Sequence, residues 1–174
     1  MCGISAIIRF AGNAADDLDD LERMHRSLLH RGPDAEGAFF VTAEFEGRRL
    51  HCVPSSCGHG SSELRVIAAV RRLRVSDLRE DADQPLVSAD GTVCVMLNGA
   101  IYNFRELAVE LATAGHPLRT TNDAEVVLQA YRCWGATCFQ RFNGMWAIVI
   151  LDLARRKLVG SRDRLGIKPQ TVAD

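Results

Sequence analysis

The chain has 174 residues, 47% hydrophobic and 25% charged, with a net charge of −1. That is enough apolar sequence for the core of one domain. The charge balance offers no basic excess for nucleic acid or an anionic membrane, and no apolar run reaches transmembrane length.

The chain opens with Met1-Cys2-Gly3-Ile4. Residues 3–10 read as a buried strand, too short and too soon followed by Arg9 and acids to be a signal sequence. The six cysteines fit reduced thiols of a cytoplasmic protein better than a disulfide framework. Asp16-Asp17 opens a helix with Leu18, Leu21, Met24, Leu28 and Leu29 at helical spacing, acids first and His25 and Arg26 late. His30-Arg31-Gly32-Pro33-Asp34 stops it. Residues 37–43 read as a strand, with 48–53 as a candidate partner and 53–62 as a loop. Residues 63–75 fit helix or strand, and Val66, Ile67, Val70 and Val75 favour strand. A polar stretch runs to Gln84, and 93–97 forms a short apolar strand. Asn103 is placed to cap the next helix, with Glu106 three residues on. That helix carries Phe104, Leu107 and Leu111, and Gly115 ends it. Another starts at Asn122 or Asp123, presents Val126, Val127, Ala130, Tyr131 and Trp134, and closes at Gly135. Residues 145–151 form an apolar strand, with 157–161 as its hairpin partner.

Several residues carry chemistry, each beside a plainer reading. Once Met1 is removed, Cys2 holds a thiol and an amine on one residue, hence a nucleophile and a nearby base. Otherwise it simply opens a strand. Arg72 and Arg74 share one strand face and Arg71 the other. An arginine fork suits a carboxylate, though charges also protect an edge strand. Asn98-Gly99 between apolar runs is a strong hairpin signal. The Asn98 amide and the Gly99 N–H also suit an oxyanion. Asp123 fits a helix start or an ammonium partner. Cys52, Cys57 and His59 have partial zinc-ligand spacing without a completing pair, so no metal is expected. Cys94, Cys133 and Cys138 read as core.

The order of these motifs is specific. Met1-Cys2-Gly3-Ile4, Arg31-Gly32-Pro33-Asp34, Arg72-Leu73 with Asp77, Asn98-Gly99-Ala100-Ile101-Tyr102-Asn103, Asp123-Ala124-Glu125 and Arg162-Asp163-Arg164-Leu165-Gly166-Ile167-Lys168-Pro169 together resemble the N-terminal glutaminase domain of glutamine-hydrolysing asparagine synthetases. That domain is a class II glutamine amidotransferase of the N-terminal nucleophile hydrolase superfamily. The resemblance covers nearly all of 1–174. It implies an α+β, four-layer αββα fold with two stacked antiparallel sheets, and hydrolysis of the glutamine side-chain amide to glutamate and ammonia. Cys2 would be nucleophile and base, with Asn98 and Gly99 stabilising the oxyanion. Arg72 would clamp the substrate α-carboxylate and Asp123 its α-ammonium. The partners implied are glutamine and an ammonia-accepting synthetase domain or subunit, absent from this chain, in which alone ATP and Mg are expected. Neither nucleic acid nor membrane is expected, and the reading admits a homodimer. Three departures stand out: Ala100 where the family usually has Glu, an insertion over 51–64, and Gln170 for the usual Leu. They keep open a degenerate glutaminase-fold module for binding or regulation, or a hydrolase acting on a different amide.

Overall fold

The computed structural model describes residues 2–8, 17–42, 64–75 and 78–172. The expectations for Met1, the strand at 48–53, the loop at 53–62, the Cys52–Cys57–His59 set, the insertion before Leu64 and Asp77 lie outside these residues. The chain divides into two compact units, one of 1–74 with 83–85 and one of 75–82 with 86–174.

In the first unit, strands β1 (Gly3–Ile8), β2 (Ala35–Thr42) and β3 (Leu64–Arg72) form an antiparallel sheet in the order β1-β3-β2. β3 pairs on both sides, with Gly3 opposite Arg71 and Ala35 opposite Arg72. Those two ladders decide the helix-or-strand ambiguity of 63–75 in favour of strand. Helix α1 (Asp17–Ser27) packs on β1 and β3. Its Leu21 joins Ala38, Ile67 and Ala69 in a small core, with Ile7 against it. Met24 and Leu29 share the apolar spacing but are exposed.

The second unit holds β4 (Leu86–Val87), β5 (Val93–Ile101), β6 (Gly144–Asp152) and β7 (Lys157–Arg162) in one antiparallel sheet, in that order. Helices α2 (Phe104–Thr113) and α3 (Asp123–Trp134) pack on each other, and α3 packs on β5. Val95 and Leu97 of β5, Ile148 and Ile150 of β6, Leu107 and Leu111 of α2, and Val126 and Val127 of α3 share one core. Each fully buried aliphatic side chain there contributes roughly 1.5–3 kcal/mol. Cys94 and Cys138 are buried and Cys133 half-buried, as core positions should be. Burial pushes the Cys138 thiol up to about 12, so it is no nucleophile. The expected α+β class, with two antiparallel sheets, is present. Among the described residues no helix is long and apolar enough to cross a membrane, and no cluster of residues suits a metal ion.

Two local expectations are corrected. Asn98-Gly99 makes no hairpin. β5 runs straight through it, pairing Asn98 with Ala147 and Gly99 with Trp146. The glycine answers a close approach instead, since a Cβ there would stand 2.0 Å from the Met145 carbonyl oxygen. Asn103 sits at the start of α2, but its side chain makes no cap. Its amide donates to the Arg141 carbonyl at 3.0 Å and accepts from the Asn143 N–H at 2.9 Å. The cap is lost because the strand entry at 141–143 holds both ends of that amide.

Candidate active site

Cys2 immediately precedes β1 and is half-buried. Because Gly3 lies opposite Arg71 in an antiparallel ladder, Cys2 falls beside the end of β3 where Arg72 stands. Its thiol is 4.0 Å from the Leu73 carbonyl oxygen. The register thus brings together the expected nucleophile and the expected carboxylate clamp.

The Arg-Gly-Pro-Asp turn does more than stop a helix. Arg31 Nε donates to the Cys2 carbonyl at 3.2 Å. The Asp34 N–H donates to the Arg72 carbonyl at 3.1 Å, and the Asp34 carboxylate accepts from the Arg74 N–H at 2.8 Å. A Cβ on Gly32 would lie 2.5 Å from the Arg71 carbonyl carbon, so only glycine lets the turn sit this close to β3. The turn therefore braces Cys2 and the end of β3 from one side. Arg31 Nη2 is buried without a hydrogen-bond partner among the described residues, which is costly for a cationic donor unless an acceptor arrives. Sequence reasoning gave Arg31 no such role; its proximity to Cys2 follows only from the strand register.

Arg72 is buried at 4% exposure. Its Nη1 bonds to Asp83 Oδ1, and Arg74 bonds to both oxygens of the same carboxylate. Arg72 and Arg74 thus do share a side, as alternation required, while Arg71 pairs with Glu36. Asp83 was not singled out by sequence. It lies in the polar stretch before Gln84, and no periodicity marks it.

In the second unit, Asn98 is buried at 6% exposure. Its Oδ1 has no hydrogen-bond partner among the described residues. An amide held without a partner for its oxygen is an incomplete arrangement for a merely structural asparagine. Gly99 follows it in the strand, and Ile101 N–H donates to Asp123 Oδ2 at 3.0 Å. Asp123 therefore ties the start of α3 to β5, two residues past Gly99. Asn122 caps α3 by accepting from Ala124 N–H at 2.9 Å and donates to the Ala82 carbonyl at 3.0 Å. Buried Glu125 accepts from Arg119 N–H at 3.0 Å and from both the N–H and the hydroxyl of Thr120 at 2.6 Å. Asn122, one of the two expected helix starts, and Glu125, given no role of its own by the sequence, therefore fix the loop that delivers Asp123. The structure gathers Asn98, Gly99 and Asp123 in this unit and Cys2 and Arg72 in the first.

Residues 51–174 match a family model described as a glutamine amidotransferase domain. The chain is 30% identical to asparagine synthetase 3 (glutamine-hydrolyzing) of Bacillus subtilis and 32% identical to asparagine synthetase 1 of the same organism. It is 33% identical to the asparagine synthetase of Zea mays. Each match covers 97% of this chain and between 23% and 25% of the relative, so the chain spans about a quarter of the length of these curated relatives. Among solved structures, glutamine phosphoribosylpyrophosphate amidotransferase from B. subtilis, complexed with ADP and GMP, superposes with a TM-score of 0.66 at 18% identity. That match covers 97% of this chain and 38% of the other, and at that identity it speaks for the fold alone.

Proposed function

Since the chain belongs to the glutamine amidotransferase domain family, we propose that it hydrolyses the side-chain amide of glutamine and passes the ammonia to an asparagine-forming synthetase domain or subunit. The observation that carries this reading is the placement of Cys2 beside Arg72, at neighbouring ends of β1 and β3. A nucleophile whose backbone lies beside that of an arginine supports recognition of an amino acid substrate with an α-carboxylate and a distant amide.

With Met1 removed, the Cys2 amine takes the thiol proton directly or through a water. The thiolate adds to the amide carbon, and the oxyanion is held by the Asn98 amide and the Gly99 N–H. The leaving nitrogen takes the proton back and departs as ammonia, leaving a glutamyl thioester. Water adds to the thioester, glutamate leaves and the thiol is restored. Arg72 holds the α-carboxylate and Asp123 the α-ammonium throughout. The relatives' names, asparagine synthetase (glutamine-hydrolyzing), support ammonia transfer to a synthetase.

Ala100 favours a second reading, a binding module that has lost turnover. The two separate in one experiment, with protein whose intact mass shows Met1 gone. Release of glutamate and ammonia from glutamine, abolished in Cys2→Ala, is the expected result. Glutamine binding without release selects the binding module, and neither binding nor release overturns both.

A further inference from the structure

Arg74 has no place in the mechanism above, yet it is built into the clamp. Its main-chain N–H is held by the Asp34 carboxylate at 2.8 Å. Its guanidinium grips Asp83 as a fork, with Nε on Oδ1 at 3.0 Å and Nη2 on Oδ2. Arg72 meets the same carboxylate through Nη1 on Oδ1. The Arg72 side chain is 5% exposed, whereas Arg74 and Asp83 are each 24% exposed. Burial would raise the Asp83 carboxyl, but hydrogen bonds from Arg74 and then Arg72 outweigh it and hold the group below its usual range. Asp83 is therefore ionised at neutral pH, and both guanidiniums are always protonated. The triad of two arginines and one aspartate carries a net charge of +1.

We infer that Arg74 is a positioning residue that sets substrate specificity: by taking both oxygens of Asp83 in a two-bond fork, it shares that carboxylate and limits it to a single bond with Arg72, and so makes the site selective for amides that carry an α-carboxylate. The inference rests on the glutaminase reading. Without the Arg74 guanidinium, both Asp83 oxygens turn to Arg72, and the protein's own carboxylate becomes a rival to the substrate's. A bidentate arginine–carboxylate pair is strong and directional, so an internal rival at hydrogen-bond distance competes well with a diffusing one.

Calorimetric titration in a Cys2→Ala background tests this, comparing L-glutamine with L-glutaminamide. The latter keeps the side-chain amide and the α-ammonium but lacks the α-carboxylate. Arg74→Gln is expected to weaken glutamine about tenfold while glutaminamide stays within about twofold, the loss of one charge-assisted interaction. Adding Asp83→Asn to Arg74→Gln is expected to restore most of the glutamine affinity, because the rival is gone. Arg74→Lys, which keeps the charge without the fork, should fall between and serves if Arg74→Gln fails to fold by circular dichroism. Equal weakening of both ligands, no weakening, or no recovery in the double variant overturns the inference and leaves the glutaminase reading intact. If the Cys2→Ala protein binds neither ligand, the glutaminase reading falls and this inference with it.

Discussion

Ala100 puts a methyl group next to Asn98-Gly99, where asparagine synthetase glutaminases usually carry a glutamate. It is half-buried on β5, opposite Met145, one residue before the N–H that Asp123 accepts. On the proposed reading, the substrate ammonium here relies on Asp123 without a second acid. A hydrogen bond to a charged group is worth about 1.5–3 kcal/mol. Ala100→Glu is therefore expected to lower the glutamine KM by about ten- to a hundredfold with little change in kcat. Steady-state kinetics would check it, and an unchanged KM would mean that the ammonium is not held at this place. Asp123 itself was legible in the sequence as a residue at a helix start, and it is found there. Its bond to Ile101 was not legible, because nothing local reports which strand end a helix start will meet.

β5 is the element that carries Asn98 and Gly99, the residues proposed to hold the oxyanion, and its fit to β6 is tight at two points. A Cβ on Gly99 would stand 2.0 Å from the Met145 carbonyl oxygen, and one on Gly144 would stand 2.2 Å from the Ala100 carbonyl oxygen. Neither contact can be relieved by a rotamer, since both obstacles are backbone. Gly99→Ala should force the strands apart and destabilise the protein by about 3 kcal/mol or more, the upper end of overpacking effects. A urea titration followed by tryptophan fluorescence would show it as a lower midpoint, and an unchanged midpoint would mean that the strands yield there. The loop after β7 is organised by a single acid. Asp163 accepts from the N–H groups of Trp146, Leu165, Ile167 and Lys168 at 2.8–3.2 Å. The Arg-Asp-Arg-Leu-Gly-Ile-Lys-Pro motif is thus a carboxylate wrapped by backbone, which explains why an acid sits in it. The sequence marked the motif without saying what the acid binds.

For the molecule as a whole, the acid response of stability follows from two kinds of group. His25 is buried in the first unit, with Nε2 at 3.2 Å from Glu36 Oε2 and Arg71 beside it. Burial first, then the Arg71 charge, lowers its pKa below 6.5, against the opposing pull of Glu36. As pH falls from 6.5 to the lowered native value, the unfolded chain binds a proton that the native one does not. Stability is therefore full above 6.5 and falls through that window. The carboxylates act lower. Asp90 is held well below its usual range, chiefly by the Ser88 hydroxyl. Asp152 and Asp163 are also lowered from 3.8; burial opposes this and their hydrogen bonds outweigh it. Their contribution is present above 3.8 and is lost as pH falls through the native values. Scanning calorimetry across pH should show two steps, and His25→Gln should flatten only the first, the one that begins as pH falls below 6.5. An unchanged first step would remove His25 from the account. Both tryptophans, Trp134 and Trp146, lie in the second unit, so their fluorescence should follow the lower step.

The sequence by itself determined the elements whose signals are local. Apolar periodicity and end signals placed α1, α2 and α3; apolar runs placed β1 and β6; the turn after Asp152 placed β7. The order of motifs along the chain was enough for the family, because order survives where single residues are ambiguous. Tertiary structure alone decided the rest. Asn98-Gly99 carries the local chemistry of a turn, but nine residues of β6 pair along β5 and keep it extended. The 63–75 stretch became a strand because two neighbours pair with it. Arg31 reaches Cys2 across 29 residues of sequence, and Arg74 meets Asp83 nine residues on. Such contacts are set by strand register and chain reversal, long-range quantities that no local preference encodes.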